Sequence, residues 1–380
     1  MDKEKIYFPN LNGLRFIAAL LVIIHHIEQF KYILKVSTYW GKSPFIGIIG
    51  NLGVVMFFVL SGFLITYLLL SEEHAFKTIS IKKFYIRRIL RIWPLYFMLI
   101  LIAFLILPNI SLFTLPGYGK EVVYSSLLLK LVLYALFFPN LVLWLVGVVP
   151  YASHTWSIGL EEQYYLIWPV LLKYFKKYRL LLIVLIILIY MGFAQFLETP
   201  YSDFIPHKNV IVALWGCFNI DCMAIGGFYA ILLFKKNWIL SLITNTYFFY
   251  LTILFVSALM FKGIFVPIIH YEFYAVLFGI IILNFAVNKK MHLSLENKVM
   301  NYLGSISYGL YMYHSIGIVL SIAICISLNL TSNWFIYPMC FIITILLASI
   351  SFKYFEKFFL KFKPKFSPII SGNDTKVEKS

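Results

Sequence analysis

Eleven apolar blocks, at roughly 14–34, 51–71, 92–108, 126–149, 158–175, 179–197, 208–234, 243–261, 268–287, 302–328 and 334–355, dominate this chain. Their lengths match the ~17–25 residues with which a helix crosses a bilayer. The runs are continuous, whereas strands of a membrane barrel alternate lipid-facing and lumen-facing residues, so a barrel is excluded. Of the 380 residues, 62% are hydrophobic and 13% are charged, about half the ~25% charged share of soluble domains. A soluble core could not absorb so much apolar surface. The expected fold class is an all-α polytopic membrane protein.

Charge placement then limits how many blocks cross. The net charge of +16 does not call for nucleic acid, because the basic residues gather at the ends of apolar blocks, as positive-inside insertion requires. They precede the first block and recur at Lys77–Arg91, Lys173–Arg179, Lys235–Lys236, Lys289–Lys290 and from Lys353 onward. With all of these cytoplasmic, each interval holds an even number of crossings. The interval from Arg91 to Lys173 holds three blocks, so one does not cross. Block 126–149, closed by Gly147, Pro150 and the polar run YASHTWS, is expected to be re-entrant or to lie against the bundle.

About ten transmembrane helices with both termini cytoplasmic remain. Residues 1–363 are expected to form the transmembrane domain and 364–380 a short polar cytoplasmic tail, with no second soluble domain. The first block lacks a small-residue cleavage site and carries His25 and His26 near its end, so it is expected to stay as a helix. Cys217, Cys222, Cys325 and Cys340 show no CxxC or metal-type spacing and are expected to pack as small apolar residues. No internal repeat is visible, which argues against a transporter built from inverted halves.

Ionisable residues at membrane depth are costly enough to suggest function. Arg15 and His26 are eleven positions apart, about three helical turns plus ~20°, with a rise of about 16 Å, and so share a face. The alternatives are a snorkelling Arg15 and an interhelical hydrogen bond from His26. Glu161 and Glu162 stand early in an apolar helix. Adjacent positions diverge by about 100°, so at most one faces the interior, and Tyr165 lies one turn from Glu161. Arg87, Arg88 and Arg91 either mark the cytoplasmic side or grip phosphates bidentately. Asp221 is an acid in an apolar segment, and Ser307, Tyr311 and His314 fall within reach of one face. Either group could equally be structural. There is no Walker loop, HExxH or GxSxG motif, and no metal is expected.

The stretches LNGLRFIAALLVIIHH, GVVMFFVLSGFLIT, FYIRRILRIWPLYF, HTWSIGLEEQYYLIWP, LGSISYGLYMYH and KYFEKFF occur in this order, and in this the chain resembles the acyltransferase-3 family of OafA/NodX-type membrane O-acyltransferases. The resemblance covers about residues 9 to 360. It implies a ten-helix protein of the bacterial inner membrane that moves an acyl group, most often acetyl from acetyl-CoA, to a carbohydrate hydroxyl on the far side. Acyl-CoA would be a donor substrate rather than a tightly bound cofactor. By the resemblance, Arg15 and His26 carry the family's Arg-then-ten-then-His pattern, and Arg87, Arg88 and Arg91 its arginine group. Ser61, Gly62 and Phe63 carry its Ser-Gly-Phe turn, and His154, Trp156, Ser157 and Glu161 its acidic motif. Ser307, Tyr308 and His314 match its late positions, and Glu356 its terminal Glu. Val55 and Asn219 depart from positions that are often polar and Arg, respectively, and bear on acceptor or acyl preference.

The expected chemistry has arginines holding the phosphates of acyl-CoA, its arm passing Arg15, and His26 acting as general base or acyl acceptor. Glu161 would orient the imidazole or the acceptor hydroxyl. His154, Trp156, Ser157, Tyr165, Asp221, Ser307, Tyr311 and His314 would line the acceptor side. Transfer would be direct to a carbohydrate at the lipid bilayer, or pass through a separate periplasmic transferase. The rival reading is an exporter of an acylated lipid-linked glycan, which would also bury polar groups but would consume no thioester. A second rival is a catalytically silent sensor of acyl-CoA.

Overall fold

The computed structural model describes residues 5–216 and 218–371. Ten helices of 15 residues or more account for most of them. They are α1 (Leu11–Ile33), α2 (Pro44–Phe76), α3 (Ile81–Leu101), α4 (Trp156–Tyr174), α5 (Arg179–Leu197), α6 (Ile220–Phe234), α7 (Thr246–Lys262), α8 (His270–Val287), α9 (Ser307–Ser327) and α10 (Asn333–Ser351). Among the described residues, eight helical stretches are long and apolar enough to cross a membrane. Helix α7 is apolar but shorter, and α4 has 19 residues but carries Glu161, Glu162 and Lys173 within them. The chain is a multi-pass, all-α membrane protein.

Local chemistry sets several helix ends. Pro44 opens α2 at a position where no amide hydrogen is needed. The Asn245 side chain caps α7 by accepting from the Tyr247 and Phe248 amides at 2.9 and 3.2 Å, and Gly263 closes it at φ 63°.

Block 126–149 is not one helix. It breaks into Leu127–Ala135, a turn at Phe137 with φ 60°, and a short segment from Pro139 to Val146. Lys130, fully buried, hydrogen-bonds the Val122 carbonyl at 2.6 Å and the Ser125 hydroxyl at 3.0 Å, so this irregular region supplies its own polar partners. Two other blocks are also interrupted. Block 208–234 holds Lys208–Trp215 and α6, with Asn219 at φ 25° between them. Block 302–328 contains the end of a short helix, Lys298–Ser305, and then α9.

Small residues let the central helices approach. A methyl group at Gly62 of α2 would lie 1.9 Å from the Met223 carbonyl oxygen of α6, and one at Gly226 of α6 would lie 2.1 Å from the Val59 carbonyl oxygen. Backbone therefore packs on backbone, as glycine permits in membrane bundles. At one end of α1, Lys31 meets Glu28 at 2.5 Å and Asn333 at 2.7 Å, while Tyr337 donates to Glu28 at 2.8 Å. This fully buried pair ties α1 to α10.

The segment from 364 onward, assigned to the tail by sequence, packs against the bundle through residue 371. Ser367 and Ile369 are buried. Strand β2 (Ile370–Ser371) pairs in parallel with β1 (Lys5–Ile6). Cys222, Cys325 and Cys340 are buried free thiols; Cys217 and residues 372–380 lie outside the described residues.

Overpacking of a tight core costs about 1–3 kcal/mol. Gly226→Ala is therefore expected to lower the melting temperature in detergent. Gly192→Ala, whose added methyl meets nothing within 4 Å, is expected not to, and a thermal scan of the two side by side checks this.

Candidate active site

A cavity of about 1310 Å³ runs into the bundle between α1, α2, α3, α4 and α9. Its α2 wall is Val54, Phe57, Phe58, Ser61, Leu64, Ile65 and Leu68, spaced by three and four as one helical face. Arg15 of α1 and Arg88 and Arg91 of α3 also line it. Arg15 donates to the Asn12 side chain at 3.1 Å. The Arg88 guanidinium sits 5.8 Å from the Tyr165 ring centroid, a cation–π distance.

Opposite these cations, α4 presents Ser157, Glu161 and Tyr165 to the cavity. The Glu161 carboxylate accepts from Ser61 at 2.9 Å and from Tyr165 at 3.0 Å. Glu162 turns away and accepts from the Trp93 indole at 2.8 Å, so the adjacent acids occupy different environments. Ser307, Tyr308 and Tyr311 complete the α9 wall. The Tyr311 hydroxyl donates to the His154 carbonyl at 2.7 Å and meets the Ser157 hydroxyl at 2.6 Å.

Behind Tyr311, and outside the cavity lining, stands a row of imidazoles from His26, His154 and His314. The His26 ring contacts the His314 ring edge-on at 4.7 Å, and His314 contacts His154 at 4.6 Å. His154 also meets the Tyr311 ring at 5.5 Å. Backbone carbonyls, which only accept, assign the tautomers of neutral rings. His26 Nδ1 donates to the Val22 carbonyl at 2.8 Å, His314 Nδ1 to Tyr311 at 2.6 Å, and His154 Nε2 to Met312 at 3.2 Å. The Nε2 lone pairs of His26 and His314 are thereby left for other work, and His314 Nε2 has no hydrogen-bond partner among the described residues.

Several residues singled out by sequence lie elsewhere. Arg87 does not line the cavity; it is buried against Glu72 at 3.3 Å and donates to the Phe366 carbonyl at 2.9 Å. Asp221 is fully buried near Glu272, away from the cavity lining. Trp156 packs edge-on against Phe58, ring centroids 6.3 Å apart. Glu161 hydrogen-bonds two hydroxyls rather than the His26 ring, whose partners are its own helix and neighbouring imidazoles. Sequence reasoning gave no separate weight to Ser61 or Asn12, which position Glu161 and Arg15. Their signal is the i, i+3 and cross-helix polar match, visible only once the helices are paired.

The basic cavity, its half-buried carboxylate and the imidazole row behind it define a multi-pass membrane protein with the side chains of an acyl-transfer site. A family model described as an acyltransferase domain matches residues 8–353, and the chain belongs to that family. It is similar to the peptidoglycan O-acetyltransferase OatA of Listeria monocytogenes, 31% identical over 194 residues, covering 47% of this chain and 27% of that protein. It is also similar to the O-acetyltransferase OatA of Staphylococcus aureus strain NCTC 8325, 29% identical over 176 residues, covering 44% and 25% respectively. The matched region thus spans about a quarter of the length of these curated relatives. No solved structure matches.

Breaking a buried ion pair typically costs about 3–5 kcal/mol. Arg87→Ala, which leaves Glu72 without its cation, is expected to lower detergent-solubilised thermal stability sharply. Arg88→Ala removes a cavity-wall charge and is expected to leave the melting temperature nearly unchanged; equal losses in both variants would contradict this division.

Proposed function

We propose that the protein is a membrane O-acyltransferase that moves an acyl group, acetyl in the first instance, from acyl-CoA to a hydroxyl of a cell-surface or lipid-linked carbohydrate. The observation that carries this reading is a cation-walled cavity holding a hydroxyl-bound carboxylate, with an imidazole row packed behind its Tyr311 wall. Phosphates of a donor suit Arg88 and Arg91, since guanidinium groups bind phosphate strongly. The uncharged arm then follows the α2 face past Arg15 toward Ser157 and Tyr311.

His26 Nε2 takes the proton of the acceptor hydroxyl. The hydroxyl oxygen bonds to the acyl carbon, the carbon–sulfur bond breaks, and the donor leaves as a thiolate, to which the His26 imidazolium returns the proton directly or through water. His314, packed edge-on against His26, fixes the ring plane. Glu161, held by Ser61 and Tyr165, sets the charge balance of the arginines along the donor path rather than touching His26.

This reading includes ten crossings, with α4 and α7 joining the eight long apolar stretches, both termini in the cytoplasm, and residence in the bacterial inner membrane. Transfer is direct or goes through a separate periplasmic protein. The names of the similar proteins, a peptidoglycan O-acetyltransferase and an O-acetyltransferase, support acetyl as the group and a cell-wall glycan among the acceptors.

General-base catalysis is worth about 10²–10⁴-fold, so His26→Ala is expected to reduce acetyl transfer by that range while inserting normally. Mass spectrometry of surface glycans from cells with wild-type or variant protein shows the lost acetyl increment and identifies the acceptor. Full acetylation by membrane-inserted His26→Ala protein would overturn the assignment, and release of no free thiol from acetyl-CoA by purified wild type would favour the exporter.

A further inference from the structure

The mouth of the cavity carries a second basic group that the donor path above does not use. Lys298 of the short helix Lys298–Ser305, Lys357 and Lys361 of the segment following α10, and Lys363 all line it. Lys298, Lys357 and Lys361 are exposed, whereas Arg15, Arg88 and Arg91 deeper in are half-buried. The same stretch holds Lys353 and Lys365, which do not line the cavity. Positive-inside insertion would accept lysines on any face, but these converge on the opening.

One carboxylate stands beside them. Glu296 also lines the mouth, and it accepts from the Tyr7 hydroxyl, from the Asn10 amide at 2.7 Å and from the Asn301 side chain at 2.7 Å. Burial, then the hydrogen bond to Glu296 and its charge, push the Tyr7 phenol up in pKa, so it stays a neutral donor. No ion pair involves Lys298, Lys357 or Lys361 among the described residues. With Lys363 set aside, six basic side chains face two carboxylates over the whole cavity. That excess asks for a ligand with several negative charges, spread between a deep group and an outer group.

We infer that the lysine cluster at the mouth binds a phosphomonoester, specifically the ribose 3′-phosphate of the acyl-CoA donor, and so selects 3′-phosphorylated donors over dephosphorylated ones. This rests on the transferase reading for the identity of the donor. The deep arginines face the diphosphate and arm, while the lysines, flexible point charges in water, face the terminal group. The other source of the same chemistry is the phosphate of an anionic lipid headgroup, since the mouth lies where positive side chains meet a membrane surface.

The test uses the full chain, purified and reconstituted in zwitterionic vesicles or in vesicles containing phosphatidylglycerol. Binding of CoA and of 3′-dephospho-CoA is measured directly, and free-thiol release is measured from the corresponding acetyl thioesters. Wild type is expected to prefer CoA by about tenfold or more in both vesicle types, the scale of one charge-assisted contact. The combined variant Lys298→Ala, Lys357→Ala, Lys361→Ala, Lys363→Ala is expected to bind both forms as wild type binds the dephosphorylated one. Lys353→Ala with Lys365→Ala is expected to keep the preference.

Equal binding of the two forms by wild type, or a preference that survives the combined variant, overturns the inference. A preference that disappears when phosphatidylglycerol is present assigns the lysines to lipid and also overturns it. Thiol release without 3′-phosphate preference leaves the transferase standing and removes the site. Preference in binding without thiol release keeps the site and removes the transferase.

Discussion

A charge held inside a helical bundle needs either a partner or water, and this requirement arranges the rest of the molecule. The chain meets it in both ways. Glu28 with Lys31, and Glu72 with Arg87, are buried as pairs. Arg15, Arg88, Arg91 and Glu161 instead face the cavity. Helix α3 thus has two basic sides, one turned to Glu72 and the carbonyl of Phe366, the other turned to open space. The side without a carboxylate ion pair among the described residues is the one available to a ligand.

Helix α2 makes the open space possible by dividing its own faces. Gly62 and Val59 meet α6 at backbone contact, and Thr66 accepts from the Trp168 indole of α4 at 2.8 Å. Phe57, Ser61, Leu64 and Leu68, interleaved with these positions, line the cavity. Close contact on one side lets the bundle close around a void on the other. Ser61 belongs to the cavity side yet reaches Glu161, so one hydroxyl links the packing of α2 to the polarity of α4.

Much of this was legible before the fold was known, for identifiable reasons. Apolar block length gave the helices, and charge parity singled out block 126–149, which is broken at Phe137. Helical periodicity placed Glu161 with Tyr165, and Arg15 and His26 lie on a helix whose one end meets the cavity and whose other end meets His314. What periodicity could not supply was rotation against distant partners. Arg87 and Arg88 look alike in sequence, and only Glu72 distinguishes them. The meeting of His26, His314 and His154 depends on three segments far apart in the chain. The break between Lys208–Trp215 and α6 was hidden because apolar residues continue through it. Lys353 and Lys357 are one turn apart and look equally topological, yet only Lys357 lines the opening.

The pairing of β1 with β2 carries a mechanical implication. Residues 5 and 6 are clasped to residues 370 and 371, and Ile6, Tyr7, Phe8 and Lys363, next to that clasp, border the cavity. The two ends of the described chain therefore form a hoop around one entrance, and its bore is held by four residues of backbone. Whatever separates those paired residues loosens the rim of that doorway, so probes meant to leave it undisturbed belong on the loops between helices.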